Sequence, residues 1–102
     1  MKHIAFCGRS LEALRSFPAA AKREAGYQQD RVQNGFEPTD WKPMSSIGSG
    51  VREIRIMHEG QFRVIYIATF AEAVYVLHAF QKKTQKTRKQ EIDAAKQVLK
   101  QL

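Results

Sequence analysis

Arg55 and Arg63 stand inside otherwise apolar, strand-forming sequence (VREIRIM and QFRVIYI), and their residue type suits them to chemistry. A guanidinium carries a permanent charge on a planar fork that matches phosphate oxygens. Two of them on rigid strands could grip a phosphodiester and stabilise negative charge building on it. The competing reading has Arg63 paired with Glu53 across a hairpin, where it would only specify register. Lys82, Lys83, Lys86, Arg88 and Lys89 form a basic run further on, next to Phe80, and Arg52 adds a cation to the first of these strands. Single-stranded RNA is held by phosphate contacts combined with aromatic stacking, for which Phe80, Tyr66 and Tyr75 offer rings; the plainer role for each ring is core. His78 is the imidazole nearest in sequence to this basic run, and imidazole is the side chain that titrates near neutrality. Glu53 is a second candidate base if its face is sheltered.

Other chemistries find little support. His3, His58, His78 and Cys7 are scattered without the close paired spacing of zinc motifs, so no metal site is expected. Neither GxGxxG nor GxxxxGK[ST] occurs, which argues against nucleotide-dependent chemistry, and no cofactor is expected.

The elements that must position these residues follow from periodicity. Val51 to Lys86 reads as a three-stranded antiparallel meander. In its middle strand Phe62, Val64, Tyr66, Ala68 and Phe70 share one face, and Arg63, Ile65, Ile67 and Thr69 share the other. Both faces are largely apolar, which suits a sheet covered by helices on one side and forming a partly sheltered floor on the other. Parity in the last strand groups Val74, Val76, His78, Phe80 and Lys82 against Tyr75, Leu77 and Ala79. Glu59-Gly60 marks the first hairpin turn, with Gly supplying a positive φ, and Ala71-Glu72 the second.

Upstream, His3 to Phe6 could form a short strand, and Ser10 is a candidate N-cap for a brief helix carrying Leu11 and Leu14. Pro18 fits the first position of a second helix that stops at Asn34-Gly35, with Ala21, Ala25 and Val32 inward. Residues 36–50 show no period and read as a long functional loop tethered by Trp41. Thr87 and Gln90 have capping-box spacing, and Ile92, Ala95, Leu99 and Leu102 recur at helical intervals, predicting a C-terminal helix packed on the sheet.

The 102 residues suffice for one domain, 1–102. Seventeen Lys and Arg against ten Asp and Glu give a net charge of +7, which points to a polyanionic partner: nucleic acid, an acidic protein or a membrane surface. The lone Cys7 precludes an intrachain disulfide, the first residues lack the apolar region of a secretory signal, and no apolar run approaches a membrane span. A cytoplasmic location without membrane contact is the expectation.

GxFRVIY followed by VYVLHAFQKKTQKT and a short C-terminal helix resembles the RelE/HigB superfamily of bacterial toxins, in its phage-related HigB-like branch. The resemblance is strongest from Val51 to Lys96 and implies an α+β, microbial ribonuclease-like fold with N-terminal helices packed on an antiparallel sheet and a C-terminal helix. It also implies a toxin of a type II toxin–antitoxin system, an mRNA interferase that cuts message on the ribosome. A cognate antitoxin, often a helix-turn-helix protein, would neutralise it. The family's strand cations fall on Arg55 and Arg63, and its cation after the last strand on Lys82 or Lys83. The RNA carries the nucleophile: its 2′-hydroxyl attacks the adjacent phosphate to leave a 2′,3′-cyclic phosphate, so the protein must orient, deprotonate and neutralise. Relatives that use a Tyr near the last helix or a His-containing tail differ from this chain, which has Arg88 nearby and ends at Gln101-Leu102. The same fold without cleavage, serving as a nucleic-acid-binding or regulatory protein, is the alternative.

Overall fold

Two strongly apolar parities along the central strands require cover on both faces of the sheet, and the chain supplies it from its two ends. A computed structural model describes all residues from Met1 to Leu102. The elements run β1 (His3–Phe6), α1 (Ser10–Arg15), α2 (Ala19–Gln33), β2 (Trp41–Pro43), β3 (Val51–Met57), β4 (Gln61–Ile67), β5 (Ala73–Lys82) and α3 (Lys89–Leu99). The sheet order is β1-β5-β4-β3-β2. The expected meander β3-β4-β5 is its antiparallel centre, but β1 adds to β5 in parallel, so the α+β fold has a mixed sheet.

Helices α1 and α2 cover one face. Leu14, Phe17, Ala21, Ala25 and Val32 pack there on Ile54, Ile56, Phe62, Val64, Tyr66, Val74 and Val76. The fully buried Ala21 and Ala25 let α2 approach the strands closely. Helix α3 covers part of the opposite face, where Ala95 meets a cluster that includes Val51, Ile65, Ile67, Leu77 and Phe80. The floor is therefore roofed at one end and open at the other.

A bulge changes the parity of β5. Ile65 pairs with His78 but Tyr66 pairs with Val76, leaving Leu77 as the extra residue. Val74 and Val76 consequently face α1 and α2, whereas Leu77, His78 and Phe80 face α3. Simple alternation put Val74, Val76 and His78 on one face, and the inserted residue is why that grouping fails.

Local signals set most boundaries, with shifts that have physical causes. Pro18 is the N-cap of α2, one position before the first helical residue, and the helix stops at Asn34 and Gly35, where Gly35 has φ +87°. Ser10 is the first residue of α1 and caps nothing; its buried hydroxyl donates instead to the Val76 carbonyl at 3.1 Å and ties α1 to β5. Within residues 36–50, Trp41–Pro43 forms the edge strand β2 against β3. Buried Met44 and Ile47 tether the segment, and Trp41 is half-buried beneath Arg52. The capping box does not form, because α3 begins after an extended Arg88 without a side-chain cap, and Leu102 lies beyond the helix and is exposed. No helix is long and apolar enough to cross a membrane.

The β3–β4 turn places positive φ on Glu59 (52°) as well as on Gly60 (150°). A β-carbon in the left-handed region is strained, and Asn tolerates that region better. Exposed Glu59 gives Glu59→Asn nothing else to disturb. The substitution is expected to raise stability by about 0.5 kcal/mol, visible as a higher urea midpoint at unchanged m-value.

Candidate functional site

The register of β2 to β5 assembles the polar residues of the open end. Lys42 lies opposite Glu53, Arg55 opposite Arg63, Arg63 opposite Phe80, and Gln61 opposite Lys82. All of these share the α3 side of the sheet, since their parity is that of Val51 and Ile65. A row of cations thus crosses four strands just beyond the edge of the second core.

Glu53 is the centre of the row. It is fully buried, and its Oε1 lies 3.5 Å from Arg63 Nε and 3.8 Å from Lys42 Nζ, while its Oε2 accepts a hydrogen bond of 3.0 Å from the Thr87 hydroxyl. Arg63, 6% exposed, donates from Nη1 to the Phe62 carbonyl at 3.0 Å and from Nη2 to Gln61 Oε1 at 2.9 Å, while its buried Nε meets Glu53 Oε1 by charge alone, without a hydrogen bond. Burial lowers the Arg63 pKa from its ordinary value; Glu53 opposes this and Arg55 adds to it. A guanidinium still stays charged at any pH the fold would meet, so the effect is energetic and not a change of state.

The accessible cations lie around this buried pair. Arg55 is partly exposed and 3.9 Å from Asp40, and Lys42 also reaches solvent. The Lys82 pKa is lowered, first by desolvation and then by Arg63, with Lys42 and Arg55 adding to the repulsion and Glu53 opposing it. An ammonium so placed gives up its proton more readily than an ordinary lysine. Beyond it, a cavity of about 300 Å³ opens between the end of β5 and the start of α3, lined by Phe80, Lys82, Lys83, Thr84, Arg88 and Glu91 among others.

His78 reaches this region from the side. Its Nε2 shares a hydrogen bond of 2.8 Å with Glu91 Oε1 on α3, and its ring stacks on Phe80 at 5.4 Å. Glu91 and Phe80 line the cavity, and His78 stands behind them.

Of the residues expected from sequence, Arg55, Arg63 and Lys82 are brought together on one face, with Lys83 and Arg88 at the cavity. Arg52 is not among them. It projects from the opposite face, with its guanidinium 4.0 Å above the Trp41 ring and 3.9 Å from Glu37. Lys86 is exposed, and Lys89 is exposed 3.9 Å from Asp93. The stacking rings resolve toward the core: Tyr66 is 2% and Phe80 9% exposed, and the Tyr75 hydroxyl donates to Glu72 at 2.8 Å. Glu53, with no exposed surface and three partners, cannot reach a substrate as a base.

Sequence reasoning missed Lys42 and Thr87. Lys42 sits in a three-residue strand ending in Pro43, too short to show alternation, and Thr87 is joined to Glu53 across 34 positions by tertiary structure alone.

The arrangement can bind and neutralise a phosphodiester. Accessible cations converge from three strands and a loop, and a buried carboxylate holds the innermost of them in place.

Comparison with curated proteins gave no match. Among protein families, residues 12–100 match the model described as phage derived protein Gp49-like (DUF891), which covers α2, every strand of the cationic face and α3. The chain therefore belongs to the Gp49-like family of phage-derived proteins, a family related to the RelE/HigB-like toxins.

Proposed function

We propose that this protein is the toxin of a type II toxin–antitoxin system, of the HigB-like branch, and that it acts in the cytoplasm as an endoribonuclease on ribosome-bound mRNA. The observation that carries this reading is the convergence of Arg55, Lys42 and Lys82 on one open sheet face, bordered by Lys83 and Arg88. Membership of a family related to such toxins supports it. Arg55 and Lys82 would contact the non-bridging oxygens of the scissile phosphate and neutralise the charge that builds as the 2′-hydroxyl attacks. Arg63, which is buried, paired with Glu53 and hydrogen-bonded to Gln61 and the Phe62 carbonyl, would support them from below. Proton transfer would fall to Lys82, whose pKa is lowered, or to His78 through local movement of Glu91. A helix-turn-helix antitoxin would neutralise the toxin by covering this face.

One observation favours a second reading, a nucleic-acid-binding protein that does not cleave. The nearest imidazole is engaged by Glu91, and the carboxylate of the floor is sealed. Controlled expression in bacteria with mapping of new RNA 5′ ends separates the two. New ends that disappear when an adjacent small reading frame is co-expressed are expected; RNA binding with no new ends would select the second reading.

Variants divide the row by burial. Arg55→Ala and Lys82→Ala are expected to slow RNA cleavage on the order of 100-fold at unchanged urea midpoint. Arg63→Ala, which strands Glu53 in the interior, is expected to cost about 3 to 5 kcal/mol of stability. Equal loss of midpoint in all three would remove the distinction between contact and support.

The lowered pKa of Lys82 gives a pH signature. Its charge is present below that pKa and lost above it, so affinity for single-stranded RNA should weaken at a lower pH than an ordinary lysine would dictate. Lys82→Arg should move that loss to higher pH, measured by titration of a short RNA at constant ionic strength.

A further inference from the structure

Residues 83–88 connect the end of β5 to α3 and carry Lys83, Lys86 and Arg88. Inside this segment the Thr84 hydroxyl bonds to the Lys86 carbonyl, which shapes the loop without attaching it to anything. The hydrogen bond from the Thr87 hydroxyl to Glu53 is the one that joins the segment to the sheet. That bond ends on the fully buried carboxylate that also holds Arg63 and Lys42.

Like charge opposes this position. Lys83 and Arg88 line the same cavity as Lys82, whose ammonium is already repelled by Arg63, Lys42 and Arg55. A loop of cations next to a floor of cations would swing into solvent unless something neutral in charge and short in reach held it. A threonine hydroxyl meets both conditions, since it donates to a carboxylate without adding charge, and charge-assisted bonds of this kind are stronger than neutral ones. Its placement also explains why the capping-box spacing of Thr87 and Gln90 yields no cap, because the hydroxyl is turned to Glu53.

We propose that Thr87 is a positioning residue: through Glu53 it clamps the basic 83–88 segment against the sheet, so that Lys83 and Arg88 stay with Arg55 and Lys82 as one phosphate-binding surface. For its substrate class this inference rests on the RNA reading above; the clamp itself does not. Thr87 acts through the loop and needs no contact with RNA.

Trypsin reports directly on the clamp, because Lys83, Lys86, Arg88 and Lys89 are its cleavage sites. In the absence of RNA, limited digestion of Thr87→Val with mass-spectrometric assignment of cuts should show cleavage within 83–89 about 10-fold faster than in the unmodified protein. Thr87→Ser, which keeps the hydroxyl, should restore the slow rate. Single-stranded RNA titrated at low salt should bind Thr87→Val about 10-fold more weakly, with Thr87→Ser again restoring affinity. The urea midpoint of Thr87→Val should fall, because buried Glu53 loses a charge-assisted bond, while that of Thr87→Ser stays near normal, and both assays are run where Thr87→Val is folded. Equal tryptic rates in all three proteins would overturn the clamp whatever the RNA result. Faster digestion without weaker RNA binding would overturn the single-surface part alone, and an unmodified protein that binds no RNA would overturn the RNA reading while digestion still decides the clamp.

Discussion

The buried ion pair of Glu53 and Arg63 is the constraint on which the rest of the arrangement depends. Two charges are drawn into a sheet whose neighbours on the same face are Val51, Ile65 and Phe80, and desolvation of each costs several kcal/mol. Gln61, the Phe62 carbonyl and Thr87 meet part of the remaining polar demand and Lys42 adds charge at 3.8 Å, while Glu53 Oε1 and Arg63 Nε face each other at 3.5 Å without a hydrogen bond, so the pair is held chiefly by its charges. The pair is diagonal, since Glu53 lies opposite Ile65 and Arg63 opposite Arg55. A slip of one residue between β3 and β4 would send one of the two charges to the α2 face, where Val64 and Tyr66 offer no partner for it, so the pair specifies the same register as the hydrophobic pattern.

One sealed carboxylate does not balance its surroundings. Lys42, Arg55, Arg63 and Lys82 stand against Glu53 and the exposed Asp40. The surplus is positive, and it is felt most at Lys82, where repulsion and desolvation both favour the neutral amine. A surface like this is tolerated by the folded protein because its outer members reach water, and it is primed for an anion because its inner members cannot move away. Stability and binding therefore pull on different residues of one row: Arg63 belongs chiefly to the fold, and Arg55 and Lys82 to whatever docks there.

What was legible in the sequence was local. Alternation from Val51 onward gave the three central strands and the two faces of β4, Pro18 and Gly35 bracketed α2 to within a residue, and the spacing of Ile92 and Ala95 gave α3. The competing readings of Arg63 also contained the right contact, since Glu53 is its partner. The parallel pairing of β1 with β5 carries no local mark, because two helices and three strands separate the two in the chain. Arg52 belongs to the opposite parity from Arg55, and strand alternation already separated them; grouping them by charge obscured it. Thr87 was misread because a capping box and a tertiary hydrogen bond draw on the same hydroxyl, and only the distance to Glu53 decides between them.

The bulge at Leu77 links these observations. β5 must serve α1 and α2 with Val74 and Val76, and then turn its next side chains toward α3. Strict alternation would hand His78 to the α1–α2 core, where an imidazole would need a partner among Leu14, Phe17 and Phe62 and find none. One extra residue moves it across, so that His78 meets Glu91 and anchors the first turn of α3 to the strand. That anchor fixes where α3 starts, and hence how far the roof extends along the floor. Because α3 begins only after residues 83–88, the polar end of the sheet stays open, and the fold leaves its cations exposed at the place where the loop can close around them.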